Sequence, residues 1–126
     1  MQKIRESLYP DGLPTGEAVI TTGGKLPARF VIHTVGPIYG RESQNEADLL
    51  KNSYLNSLRI AGENGLNSIA FPSISTGAFS YPKHEAAAII SSALAEFSKT
   101  KTSISKIVLV FFTHHDAETF LKHQTF

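Results

Sequence analysis

One stretch in the second half of the chain gathers residue types that can hold an anion: Ser73-Ile74-Ser75-Thr76-Gly77-Ala78-Phe79-Ser80-Tyr81-Pro82. Its small residues let main chain approach a ligand closely, and Gly77 can take dihedrals that turn successive N–H groups the same way. Pro82 suits the first turn of a helix, whose positive end would then face the loop. Phe79 and Tyr81 add flat apolar surface for a sugar or a base. The chemistry expected is phosphate binding by main-chain amides. A plain strand-to-helix connection would use the same residue types, so composition alone leaves both readings open. No Gly-Lys-Ser/Thr follows, and the spacing is not that of the dinucleotide-binding glycine fingerprint, which sets aside the standard NTPase and dehydrogenase motifs.

Other reactive side chains have simpler explanations. His114, His115 and His123 lack a carboxylate or thiolate that would complete a metal set, and adjacent histidines point to different sides, so no metal is expected. His84 and Glu85 beside the loop could act as acid and base, but an acidic residue in a first turn ordinarily serves the helix dipole. Ser73, Ser75 and Thr76 have no histidine and carboxylate pair at a connectable spacing, and they read as phosphate contacts rather than nucleophiles. The catalytic residues, if there are any, stay unassigned.

The loop needs elements to position it. Residues 2 to 8 carry Ile4 and Leu8 at helical spacing and stop at Tyr9-Pro10-Asp11-Gly12. Glu17 to Thr22 and Arg29 to Val35 are β-branched or alternating, and predict an antiparallel pair of strands. From Asn45, with Asp48 completing a cap, Ala47, Leu50, Tyr54, Leu58 and Ala61 recur at steps of three and four, and Gly65 closes this long helix. Ser68 to Ser73 predicts a short buried strand. After Pro82, Ala86, Ile90, Ala93, Leu94 and Phe97 form the inward stripe of a second helix. Lys106 to Phe112 is apolar enough for a strand buried on both faces, and a last helix starts near Asp116 with Phe120 inward. Strands separated by helices imply right-handed crossovers and partly parallel pairing, hence an α/β class in three layers, α/β/α.

Bulk properties agree. The chain has 126 residues, which fits a single domain spanning 1–126. Its 18% charged and 41% hydrophobic residues are those of a folded globule. A formal charge of +1, with no basic stripe, argues against double-stranded nucleic acid as a partner. The absence of cysteine removes disulfides, thiolate metal sites and a cysteine nucleophile. The charged start is unlike a secretory signal, and no run approaches the roughly 18 apolar residues of a membrane span. The expectation is a cytoplasmic protein with no membrane contact and no cofactor.

Four fragments in order, Pro14-Thr15-Gly16-Glu17-Ala18, His33-Thr34-Val35-Gly36-Pro37, Phe71-Pro72-Ser73-Ile74-Ser75-Thr76-Gly77 and Tyr81-Pro82, resemble a macrodomain over residues 2 to 123. The resemblance implies ADP-ribose, or an ADP-ribosylated protein, as the partner. By position it implies that the amides of Ser75, Thr76, Gly77, Ala78 and Phe79 wrap the diphosphate and that Phe79 borders the distal ribose. Phe112 matches the aromatic that stacks on adenine, with a core position at a strand end as the alternative. His33 and Gly36-Pro37 match a family signature and are expected to be structural. Relatives of this kind carry a preceding portion with two strands, an Asn-bearing loop and a glycine-rich phosphate loop, which the resemblance does not find in this chain. The fold expected is therefore a mixed sheet lacking the family's first two strands, and the family's catalytic aspartate is not matched.

Three functional readings follow: an ADP-ribose binding module, a hydrolase of ADP-ribosyl groups or O-acetyl-ADP-ribose, and a packing unit that binds nothing. One of the unmatched strands lies between those corresponding to 29–35 and 68–73. Either these two close up and pair directly, or a second copy of the chain covers the gap as a homo-oligomer.

Overall fold

A computed structural model describes residues 13–40, 45–77, 79–111 and 113–123. Its strands are β1 (Ala18–Thr22), β2 (Phe30–Thr34), β3 (Ser68–Pro72) and β4 (Lys106–Val110), and its helices α1 (Glu46–Glu63), α2 (Lys83–Phe97) and α3 (His114–His123). The fold is α/β with mixed pairing. β1 and β2 are antiparallel, with Ala18 opposite Thr34 and Thr22 opposite Phe30, as their alternation predicts. β3 and β4 are parallel, with Ser68 opposite Lys106 and Pro72 opposite Val110, joined through α2 as a crossover. The opening helix expected at residues 2 to 8 lies outside the described residues. No helix among the described residues is long and apolar enough to cross a membrane.

The apolar steps of the helices build the core. Leu50, Tyr54, Leu58 and Ala61 of α1 are fully buried, and the first three cluster with Ala86, Ala87, Ile90 and Ala93 of α2, with Phe120 of α3 closing the cluster. Burying each large apolar side chain contributes about 1.5–3 kcal/mol. Ala47, read as part of the stripe, is exposed at the helix start. Asn45 occupies the N-cap of α1, but its side chain caps nothing; the carbonyl alone serves, accepting the Leu49 amide at 2.9 Å. Ser53, Ser57 and Ser91 are buried polar residues inside helices, and each hydroxyl donates to the carbonyl four residues earlier.

Two strand expectations are corrected. β4 is not buried on both faces: Ile107 and Leu109 pack on the core, whereas Val108 is 38% and Val110 54% exposed. In β3, Phe71 alone is buried, while Ser68, Ala70 and Pro72 face outward. The physical reason is the strand's period of two against a helical layer that covers only the side of Ile69, Phe71, Ile107 and Leu109.

β2 and β3 do not pair, so the expectation that they close up directly also fails. Each belongs to its own two-stranded sheet, and between them lies a cavity of about 750 Å3 lined by Phe30 to Thr34 on one side and Ser68 to Pro72 on the other. The helices hold the two pairs apart, because α1 packs on β1 and β2 while its Tyr54 packs on Phe71 of β3.

Candidate functional site

The turn from Ser73 to Pro82 leaves the carboxyl end of β3 and enters α2, where ligands of open α/β sheets sit. Its path is fixed from both ends. At the entry, the Ile74 amide donates to the Tyr54 hydroxyl at 3.2 Å. At the exit, Tyr81 N–H donates to the Ser75 carbonyl at 2.9 Å and Ser80 N–H to the Gly77 carbonyl at 3.0 Å. From outside, the Tyr39 amide takes the Phe79 carbonyl at 3.0 Å. The Thr76 hydroxyl lies 2.6 Å from the Ser73 hydroxyl and 3.1 Å from its carbonyl oxygen.

With those bonds placed, the main-chain N–H groups of Ser75, Thr76, Gly77 and Phe79 have no protein acceptor among the described residues. The left-handed conformation that turns this row of amides is found at Ser75, with φ of 66°, and at Ser80, with φ of 62°. Gly77, the residue expected to provide it, does not adopt positive φ. A side chain at Gly77 would meet nothing within 4 Å, so this glycine borders open space. The Ser75 hydroxyl oxygen is buried without a hydrogen-bond partner. α2 begins at Lys83 behind Pro82, whose carbonyl accepts the Ala86 amide at 2.9 Å, and no side chain caps that end. Its first-turn amides leave positive partial charge beside the loop.

The aromatic residues divide. Phe79 is half-buried on the loop. Tyr81 is not ligand-facing surface: it belongs to the core and receives Tyr39 edge-on at 5.1 Å. Burial pushes the Tyr81 phenol above its ordinary pKa, and the Glu85 carboxylate does the same to Tyr39. Ala78 and Phe112 lie outside the described residues.

The remaining candidates are not drawn into a catalytic set. His84 faces His123, with ring centroids 5.7 Å apart, and His114 Nε2 lies 2.9 Å from Glu118 on its own helix. Lys83 joins Asp116 in an ion pair that holds the Asp116 carboxyl below its ordinary range. His33 shares a hydrogen bond of 2.9 Å with Thr21 across the β1–β2 pair, and burial lowers its pKa. Gly36 lies against the loop: a Cβ there would stand 2.2 Å from Ser75 Oγ and 2.4 Å from Ile74 Cγ2. His33 is thus bonded across the strand pair and Gly36 packs against the loop. Reading residue types missed Tyr54 and Tyr39, the outside supports of the loop, because neither is near it in sequence and Tyr54 carries only the signal of a helical core stripe.

Fold and loop together define an α/β protein whose strand-to-helix turn carries main-chain amides with no acceptor among the described residues. The Macro domain family matches residues 1–90, and the chain belongs to that family. It is 44% identical over 119 residues to a macro domain-containing protein of Streptomyces nogalater, covering 94% of this chain and 64% of that one. It is 50% identical over 106 residues to an O-acetyl-ADP-ribose deacetylase of Citrobacter rodentium, covering 84% of this chain and 58% of the relative. Among solved structures, a variant of the Oceanobacillus iheyensis macrodomain with ADPR superposes with a TM-score of 0.90 at 41% identity, over 97% of this chain and 66% of that one. The chain thus spans about three fifths of the length of these curated relatives.

Proposed function

We propose that this protein binds ADP-ribose, or a related nucleotide diphosphate, along residues 75 to 79. The observation that carries this reading is the row of amides at Ser75, Thr76, Gly77 and Phe79 without acceptors among the described residues, at the mouth of a helix that no side chain caps. Membership of the Macro domain family and the ADPR-bound relative name the ligand class. The diphosphate takes the amides, Phe79 borders the distal ribose, and Ala78 and Phe112 complete the site as the resemblance assigns them.

Gly77 supplies the test. A Cβ there meets nothing within 4 Å, so Gly77→Val should keep the melting temperature of the parent while filling space in front of the amides. Titration calorimetry with ADP-ribose should show affinity falling by about tenfold or more, equivalent to about 1.4 kcal/mol. Unchanged affinity removes the loop from the site. A parent chain giving no heat at millimolar ADP-ribose favours instead a packing unit that binds nothing.

A second reading, hydrolysis of O-acetyl-ADP-ribose or of ADP-ribosyl groups, is favoured by the names of similar proteins. Near the loop, however, Ser73 and Thr76 bond to each other and His84 turns to His123, so no nucleophile, base and carboxylate are assembled among the described residues. Release of acetate from O-acetyl-ADP-ribose above the spontaneous rate would establish it. We also infer a cytoplasmic setting and a second copy of the chain over the groove between β2 and β3. The apolar lining and the two unpaired strand edges support the latter.

A further inference from the structure

We propose that Tyr54, a core residue of α1 remote in sequence from the loop, is the positioning residue that sets the loop's grip on phosphate. This role rests on the binding reading given above. Tyr54 is fully buried, and its ring lies 4.9 Å from that of Phe71. Its hydroxyl reaches past the end of β3, accepting the Ile74 amide at 3.2 Å and standing 3.5 Å from the Pro72 carbonyl, to which it donates. The phenol thus spans the junction at which strand becomes loop. Burial pushes its pKa far above the ordinary value, so it stays protonated and can donate and accept together.

The place of that bond matters more than its strength. Ile74 immediately precedes Ser75, the residue at φ of 66° that turns the chain toward the free amides. Holding the Ile74 amide fixes the point from which the chain enters Ser75, the residue whose N–H opens the row, and so limits the paths that Thr76 and Gly77 can follow. Among the described residues, the Tyr54 hydroxyl is the one side-chain group from outside the loop that bonds to the main chain of its entry; the exit is held by main-chain bonds alone. Amides that converge on an anion gain from being fixed before it arrives, because ordering them at binding would cost affinity.

Tyr54→Phe keeps the ring and deletes the hydroxyl. Calorimetry should show affinities for ADP-ribose and inorganic pyrophosphate falling together, by about tenfold each, since both ligands address the same amides. Leu50→Ala, in the same helix and equally buried but with no bond to the loop, lowers the melting temperature and leaves the affinity of the folded protein within about twofold. A folded Tyr54→Phe variant that binds both ligands as the parent does overturns the proposal. Hydrogen exchange on the unaltered chain tests it without a variant: the Ile74 amide is protected before ligand is added, and ligand then protects Ser75 to Gly77. Equal, fast exchange at Ile74 and Ser75 in the free protein also overturns it. Should the parent bind neither ligand, the binding reading itself fails, and this role falls with it.

Discussion

At the scale of single residues, the loop depends on a close approach. Gly36 leaves no room for a side chain, since a Cβ would stand 2.2 Å from Ser75 Oγ and 2.4 Å from Ile74 Cγ2. Gly36→Ala must displace the Ser75 and Ile74 side chains or open the turn after β2, and overpacking of this kind costs about 1–3 kcal/mol. Urea unfolding should show that loss together with weaker ADP-ribose binding; a variant within 0.5 kcal/mol of the parent, on the order of ordinary surface changes, would contradict the crowding. Gly36 was legible as part of a motif, but its contact was not, because Ile74 and Ser75 meet it only through the fold. Where the backbone turns left-handed is not legible in residue types either. Glycine adopts positive φ at least cost, yet that conformation falls at Ser75 and Ser80, on a loop bonded to Tyr54, Tyr81 and Tyr39.

At the scale of elements, periodicity located every helix and strand among the described residues to within two or three positions. The steps of Leu50, Tyr54 and Leu58 and of Ala86, Ile90 and Ala93 are strong signals of helices with one buried side. What it could not show was how many faces of a strand would be covered, since Ile107-Val108-Leu109-Val110 is apolar throughout whichever side the helices take. Leu58→Ala in α1 should therefore cost about 2–5 kcal/mol, and Val110→Ala in β4 less than about 0.5 kcal/mol, both read from urea midpoints. Equal losses would mean that β4 is covered on its outer face. The Lys83–Asp116 pair joins the starts of α2 and α3 and adds a pH dependence. The Asp116 carboxyl has a folded pKa below its ordinary 3.8, mainly through the hydrogen bond from Lys83, so its contribution is complete above that value and disappears as pH falls through the folded value. Asp116→Asn should leave a shallower loss of stability below about pH 4 in acid titrations followed by circular dichroism. An identical acid limb in the variant would show that the pair contributes nothing.

At the scale of the whole molecule, the described residues form two sheets of two strands either side of a cavity of about 750 Å3. If a second copy covers that groove, association is coupled to folding, and the melting temperature rises with protein concentration while light scattering reports twice the chain mass. A concentration-independent melt and a monomer mass remove the oligomer. Seen mechanically, α1 is a spar between two lighter parts. It grips the β1–β2 hairpin through Asn56, which donates to the Gly16 carbonyl at 2.7 Å, and through Ser53, which reaches the Val35 carbonyl at 3.3 Å, while Tyr54 on the same helix holds the far strand. Tension applied at the hairpin would load these bonds together with the Tyr39–Phe79 main-chain bond and the Gly36 contact with Ser75 and Ile74, so a pull there reaches the loop as well.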